Sequence, residues 1–300
     1  AWTNNGTAPV NVVYTITPVS AAGCAGNAFT VTVTVDPEPV GVANSATVCS
    51  DEALGSGLTL STTATSISAA HYTISVNSNG LTQSGGTASN GTNKAANELI
   101  GDAWTNTGTS AVNVVYTVTP ITTAGCAGNS FDVTITVNPE PVGIVKTTTV
   151  CSDEVLGSAV DISTTAGSVG ATSYTISVNA NGLTQSAGTV SSGTGKAFNE
   201  IVGDAWTNTG TTPVNVVYTI IPVSGANCQG NSFTITVTVN PEPVGISDTE
   251  TVCSDVALGA GVTLATTGTS VAPSSYTIAV NANGLTQSGG TASAGANKSA

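Results

Sequence analysis

The chain has 300 residues, with 17 acidic side chains against four lysines and no arginine, for a formal net charge of −13. Nucleic acid and anionic membrane surfaces are thereby excluded as partners, because both are held by clustered cationic side chains. Only 7% of residues are charged while 40% are hydrophobic, so the polar surface is built from Thr, Ser, Asn and Gly beside abundant Val and Ile, a composition of strands and turns with enough apolar residues to bury a core. No run of about 18 apolar residues exists, so no helical span is expected. Ala1-Trp2-Thr3-Asn4 shows no leader pattern.

In chain order the same segments return at a step of 102 residues. Ala-Trp-Thr-Asn begins at Ala1, Ala103 and Ala205, and Val-Val-Tyr-Thr ends at Thr15, Thr117 and Thr219. Pro-Glu-Pro-Val-Gly starts at Pro37, Pro139 and Pro241, and Asn-Gly-Leu-Thr-Gln-Ser at Asn79, Asn181 and Asn283. A unit of about 100 residues is the size of a self-sufficient domain, not of a solenoid turn. Pro-Glu-Pro cannot lie inside a central strand and marks a domain end. The frame is therefore the tail of one repeat (1–39), two whole repeats (40–141 and 142–243) and the first part of another (244–300). Such a frame predicts an array that extends both ways.

Within the second repeat, Leu58-Thr59-Leu60 is expected to open an alternating run, and Tyr72, Ile74 and Val76 share one face of the next. Val114, Tyr116 and Val118 alternate with Val115, Thr117 and Thr119. Phe131, Val133, Ile135 and Val137 alternate with Asp132, Thr134 and Thr136. Period-two patterning over about seven short segments predicts an all-β fold: tandem immunoglobulin-like antiparallel β-sandwich domains arranged end to end, with no helix beyond a turn. The aromatic residues recur sparsely, which favours core anchors over the alternative of a sugar-binding platform. Tyr72, Trp104, Tyr116 and Phe131, with Tyr174, Trp206, Tyr218 and Phe233, are read as core anchors.

Val-Tyr-Thr-Val-Thr-Pro, Ala-Gly-Cys-Ala-Gly-Asn, Val-Thr-Ile-Thr-Val-Asn-Pro-Glu-Pro and Thr-Val-Cys-Ser-Asp, all within 115–153, carry a resemblance. Through its repeat the whole chain resembles the PKD-like repeats of Bacteroidota surface proteins. These occur in giant adhesins exported by type IX secretion, gliding-motility adhesins among them. The resemblance implies an extracellular, cell-surface stalk or filament module. The Trp-Asp-Phe-Gly-Asp-Gly pattern of ordinary PKD domains is absent, so the cysteine-bearing, PKD-like variant is implied.

Two cysteines per repeat predict one disulfide per domain. Pairing within a repeat gives Cys49–Cys126 and Cys151–Cys228, the preferred reading. Pairing across Pro-Glu-Pro gives Cys24–Cys49, Cys126–Cys151 and Cys228–Cys253. A third arrangement joins neighbouring repeats and brings Cys49 toward Cys228, because strand counting puts the two cysteines of one repeat at opposite ends. Zinc is disfavoured, since there is no CxxC and His71 becomes Ser173 and Ser275 in the other copies.

Calcium is the one cofactor to weigh, with Asp51, Glu52, Asp153, Glu154, Asp102 and Asp204 as ligand candidates. Against it, the third copy reads Cys253-Ser254-Asp255-Val256, so the Glu is dispensable, and a solvated loop is the favoured reading. Lys94, Lys196 and Lys298 could in principle form an isopeptide with Asn, and Gln83, Gln185 and Gln287 an ester with Thr. Their Gly- and Ser-rich surroundings argue against both. No repeated His base, nucleophile motif or phosphate loop is present, so no enzyme is expected.

The sequence reads as a stalk segment that spaces an adhesive tip from the cell, its partners being neighbouring repeats of the same chain. Alternatives are repeats that themselves bind surface polysaccharide or another fibre, giving avidity, or chains that self-assemble into a filament.

Overall fold

A computed structural model of the chain describes residues 1–87, 89–189, 191–290 and 293–299. The fold divides into two compact units. One comprises Ala1–Val142 with Thr165–Gly170 and Val223–Gly230; the other comprises Gly143–Thr164, Ala171–Pro222 and Asn231–Ala300.

The first unit opens with β1 (Val10–Ile16) and β2 (Phe29–Val35), which pair antiparallel from Val10↔Val35 to Ile16↔Phe29. Seven strands follow: β3 (Asn44–Cys49), β4 (His71–Asn77), β5 (Thr82–Gly85), β6 (Gly91–Lys94), β7 (Ala103–Thr105), β8 (Val112–Ile121) and β9 (Phe131–Asn138). They form a five-stranded sheet in the order β3-β9-β8-β4-β6 and a two-stranded sheet β5-β7. The alternation read from the sequence sets the faces. Val114, Tyr116 and Val118 of β8 and Val133, Ile135 and Val137 of β9 are buried with Ile74 and Leu99 in one core, while the intervening Thr residues face outward.

The second unit repeats this plan with β10 (Lys146–Cys151), β11 (Ala171–Asn179), β12 (Thr184–Ala187), β13 (Gly193–Lys196), β14 (Ala205–Thr207), β15 (Val214–Ser224) and β16 (Phe233–Asn240). Its sheets run β10-β16-β15-β11-β13 and β12-β14. The short pair β17 (Tyr276–Ile278) and β18 (Gly295–Lys298) follows. The all-β, immunoglobulin-like sandwich architecture is thus present, with seven strands in each complete set.

Two local expectations are corrected. The sheets are not wholly antiparallel: β3 runs parallel to β9, from Asn44↔Val133 to Cys49↔Asn138, and β10 runs parallel to β16. Most of a repeat separates these partners in sequence, and a parallel pair needs such a long crossover. Leu58-Thr59-Leu60 also opens no strand. Gly55, at φ 73°, leads into a 3-10 turn over Ser56–Leu58, and Leu58 and Leu60 reach the core from irregular backbone. A two-residue alternation is too short to tell a strand from such a turn.

The β1–β2 and β17–β18 pairs are only parts of the plan, and apolar side chains near them are exposed. Tyr14 is 43% exposed where its counterpart Tyr116 is 0%, and Leu264 is 52% exposed where Ile162 is 2%. Among the described residues, no helix is long and apolar enough to cross a membrane.

Candidate functional site

The most elaborate chemistry in each complete repeat lies inside the sandwich, around a buried carboxylate. A 3-10 turn over Glu98–Gly101 ends at Asp102, immediately before β7. Pairing of β7 with β5 sets Trp104 opposite Gln83. Asp102 is fully buried and accepts three hydrogen bonds. Tyr116 Oη and Ser89 Oγ donate to its Oδ2 at 2.9 and 2.7 Å, and Gln83 Nε2 donates to its Oδ1 at 3.0 Å. Trp104 Nε1 in turn donates to Tyr116 Oη at 2.8 Å, the two rings meeting edge to face with centroids 6.4 Å apart. In the second unit Asp204, Tyr218, Ser191, Gln185 and Trp206 reproduce the arrangement bond for bond.

Burial pushes the Asp102 carboxyl above its ordinary range, against the hydrogen bonds from Ser89 and Tyr116, and the same holds for Asp204 with Ser191 and Tyr218. The Tyr116 hydroxyl is raised, first by burial and then by the neighbouring carboxylate. A carboxylate enclosed by three donors, with every neighbour already engaged, fixes packing and has no open face for a substrate.

The remaining calcium candidates lie elsewhere. Asp51, at φ 60°, accepts from Thr105 Oγ1 at 2.6 Å, and Glu52 accepts from the Cys49 backbone N–H at 2.9 Å. Burial opposes ionisation of Asp51, yet hydrogen bonds from Ser84, Thr105 and Ser50 together hold its carboxyl below the ordinary range. Asp153 and Glu154 make the matching contacts with Thr207 and the Cys151 N–H. The six carboxylates therefore do not converge, and among the described residues no three His, Cys, Asp or Glu groups are gathered as metal ligands. Lys94 and Lys196 form i, i+4 ion pairs with Glu98 and Glu200 at 2.9 and 2.8 Å. Gln83 spends its amide on the carbonyls of Gly85 and Thr87 and on Asp102. The aromatic anchors Tyr72, Trp104, Tyr116, Tyr174, Trp206, Tyr218 and Phe233 are buried, and Phe131 is half-buried.

The disulfide departs from the preferred pairing. Cys49 is bonded to Cys228, 179 residues away, with Cα atoms 5.4 Å apart, and both belong to the first unit. Cys24, Cys126, Cys151 and Cys253 are free. Neither Cys49–Cys126 and Cys151–Cys228 nor the Cys24–Cys49, Cys126–Cys151 and Cys228–Cys253 set is formed. The reason is strand geometry. Cys49 lies level with Asn138 at the end of β9, whereas Cys126 precedes the start of β9 at Phe131. Eight strand residues span about 26 Å, far beyond the roughly 4.4–6.8 Å that a disulfide bridges between Cα atoms. The same argument separates Cys151, level with Asn240, from Cys228, which precedes β16.

Three recurring features escape the sequence reading. Asn106 clamps its turn, donating from Nδ2 to the carbonyls of Ser110 and Val137, as Asn208 does to Thr212 and Val239. Ser89 and Ser191 complete the carboxylate sites. The Gly of Pro-Glu-Pro-Val-Gly lies flat on an aromatic ring: a Cβ on Gly41 would stand 2.0 Å from Phe131, and one on Gly143 equally close to Phe233. All recur at the 102-residue step, which is the signal that could have found them.

Fold and sites together define a repetitive immunoglobulin-like sandwich protein. Residues 1–39, 46–141 and 148–243 match the family model of the PKD-like domain, and the chain belongs to that family. No curated protein matches it. Several solved structures are similar to the chain at low identity. Drosophila N-cadherin EC1-4 is 10% identical, with a TM-score of 0.31, covering 78% of this chain and 59% of its own. The fibronectin(III)-like modules of Clostridium thermocellum CbhA are 11% identical, with a TM-score of 0.24, covering 66% and 91%. A SusE-like surface-located polysaccharide-binding protein from Bacteroides thetaiotaomicron is 11% identical, with a TM-score of 0.24, covering 80% and 44%. The chain thus spans about three fifths of the N-cadherin fragment.

Proposed function

We propose that these residues are a non-catalytic stalk segment of a large, repetitive, extracellular surface adhesin, one that spaces an adhesive tip from the cell. The repeats are framed as 1–39, 40–141, 142–243 and 244–300, and the export route is that of the type IX adhesins the sequence resembles. One observation carries the reading. What the period preserves is structural: the enclosed carboxylate, the Asn clamp and the glycine packed on Phe131 or Phe233 recur in both complete repeats. Around the starts of β4 and β11 the copies differ, Ile67, Ser68, Ala70 and His71 standing against Val169, Gly170, Thr172 and Ser173, as a spacer allows and a common ligand site would not. Ser66 and Ser168, which accept from the Val40 and Val142 N–H groups, are kept.

Two further contacts support a stiff segment. Ile67 N–H donates to the Gly6 carbonyl, and Val40 N–H to Ser66 Oγ, so the Pro-Glu-Pro connection is tied down and does not act as a loose tether. The test is labelling of intact cells with an antibody to the repeat, followed by brief external protease. The reading expects surface label that the protease removes. Label that appears only after the cells are permeabilised overturns it.

A further inference from the structure

Cys49 closes β3 at its last residue, and Cys228 sits in a tight turn. The Ser224 N–H donates to the Cys228 carbonyl at 2.9 Å, the Cys228 N–H donates to Ser224 Oγ at 3.2 Å, and Val223 bridges to Gln229. The Cys228 side chain is wholly buried. Their bond encloses a loop of 179 residue steps that holds β4 to β9 and β10 to β15. A disulfide this far apart in sequence redraws the covalent route through the chain. The shortest path from Ala1 to Ala300 follows the backbone to Cys49, crosses the two sulfurs and resumes at Cys228.

We propose that Cys49–Cys228 is a tension shunt, diverting a pull on the chain ends around the residues between the two cysteines. Its biological use rests on the stalk reading; the mechanical claim does not. Force applied at the termini loads residues 1–49 and 228–300, while the enclosed strands can unfold without lengthening the chain. Strand-pairing hydrogen bonds yield one after another under load, whereas a covalent bridge holds until it is reduced.

The period extends the argument. Cys151 and Cys253 stand one and two steps of 102 beyond Cys49, and Cys126 and Cys24 one and two steps before Cys228. Wherever further repeats keep this period, the same offset recurs. Two thiols then close to a disulfide, with their two electrons and two protons passing to a protein disulfide of the thioredoxin-like class, which becomes the dithiol. Only segments such as Cys228–Cys253 (253 − 228 = 25 residues) then carry the load for every two periods of 102 residues. Such a segment reaches at most about 83–90 Å, against roughly 670–730 Å for 204 residues in series. Extensibility falls about eightfold.

The test is single-molecule pulling on the oxidised 300-residue chain, held at its two termini. The Cys49→Ser variant is expected to release roughly 590–640 Å more contour length than wild type, the length of the enclosed loop, and Cys24→Ser to release no more than wild type. If Cys49→Ser does not fold, wild type pulled in dithiothreitol gives the same reading: the extra length appears only once reductant is present. Equal, full-length release from oxidised wild type and from the variant overturns the shunt. Neither result depends on where the protein resides, so a failed shunt and a failed stalk are told apart by the cell-labelling experiment above.

Discussion

Replacing Tyr116 by Phe is the sharpest probe of the enclosed carboxylate. The change keeps the ring, which is fully buried, and removes one oxygen that serves two bonds. Trp104 Nε1 loses its acceptor at 2.8 Å, and Asp102 Oδ2 loses a donor at 2.9 Å. Each buried group left short costs about 1–3 kcal/mol, so the substitution should destabilise its sandwich by about 2–6 kcal/mol. Urea unfolding followed by the fluorescence of Trp104 reads the loss as a lower midpoint at unchanged slope. Tyr218 offers an internal comparison, because Tyr218→Phe removes the same bonds in the second unit. A background carrying both Trp2→Phe and Trp206→Phe isolates the Trp104 signal. A loss below about 0.5 kcal/mol would show that the network contributes packing only, and would refute the reasoning.

Other consequences follow from single contacts. Gly41→Ala drives a Cβ into the Phe131 ring and should cost about 1–3 kcal/mol through overpacking, read as a lower thermal midpoint; an unchanged midpoint would mean that the ring swings away freely. The raised carboxyls of Asp102 and Asp204 bind protons more tightly in the folded state. The stability they contribute is therefore full below the ordinary carboxylate value and is lost as pH rises through their raised values. The margin of wild type over Asp102→Asn should shrink from pH 4 toward neutrality, and a margin that grows would contradict the sign. Asp51 behaves oppositely, because its carboxyl is lowered: its contribution is present above the ordinary value and is lost on acidification, so wild type should lose its lead over Asp51→Asn as the pH falls. EDTA should leave the thermal midpoint within about a degree, since each candidate ligand already has a protein partner. A drop of many degrees would show that a bound divalent cation such as calcium contributes.

The strands were legible wherever burial is one-sided. In β8 and β9 the alternation of Val, Ile and Tyr with Thr and Asp fixes both the element and its face, since a one-residue slip would expose the whole core. The parallel placement of β3 was not legible, because Asn44–Cys49 carries too short a pattern to name its neighbour. Asp102 and Asp204 were noticed from recurrence alone and read as loop carboxylates. Sequence shows that an acid recurs but not that Ser89 and Tyr116, 13 and 14 residues away, fold over it. The Cys49–Cys228 bond is the third of the arrangements open from the sequence and not the preferred one. Spacing restricted the partners, and strand counting placed Cys49 and Cys126 at opposite ends, but only the register of β3 on β9 excludes their pairing.

The stalk itself is tested most directly by low-dose imaging of whole cells labelled with an antibody to this repeat. The account predicts long, thin surface fibres with a regular axial step of one repeat, about 35–45 Å from the length of a strand of about ten residues and its turns. Compact, non-fibrous surface particles, or label diffuse in the cytoplasm, would contradict it.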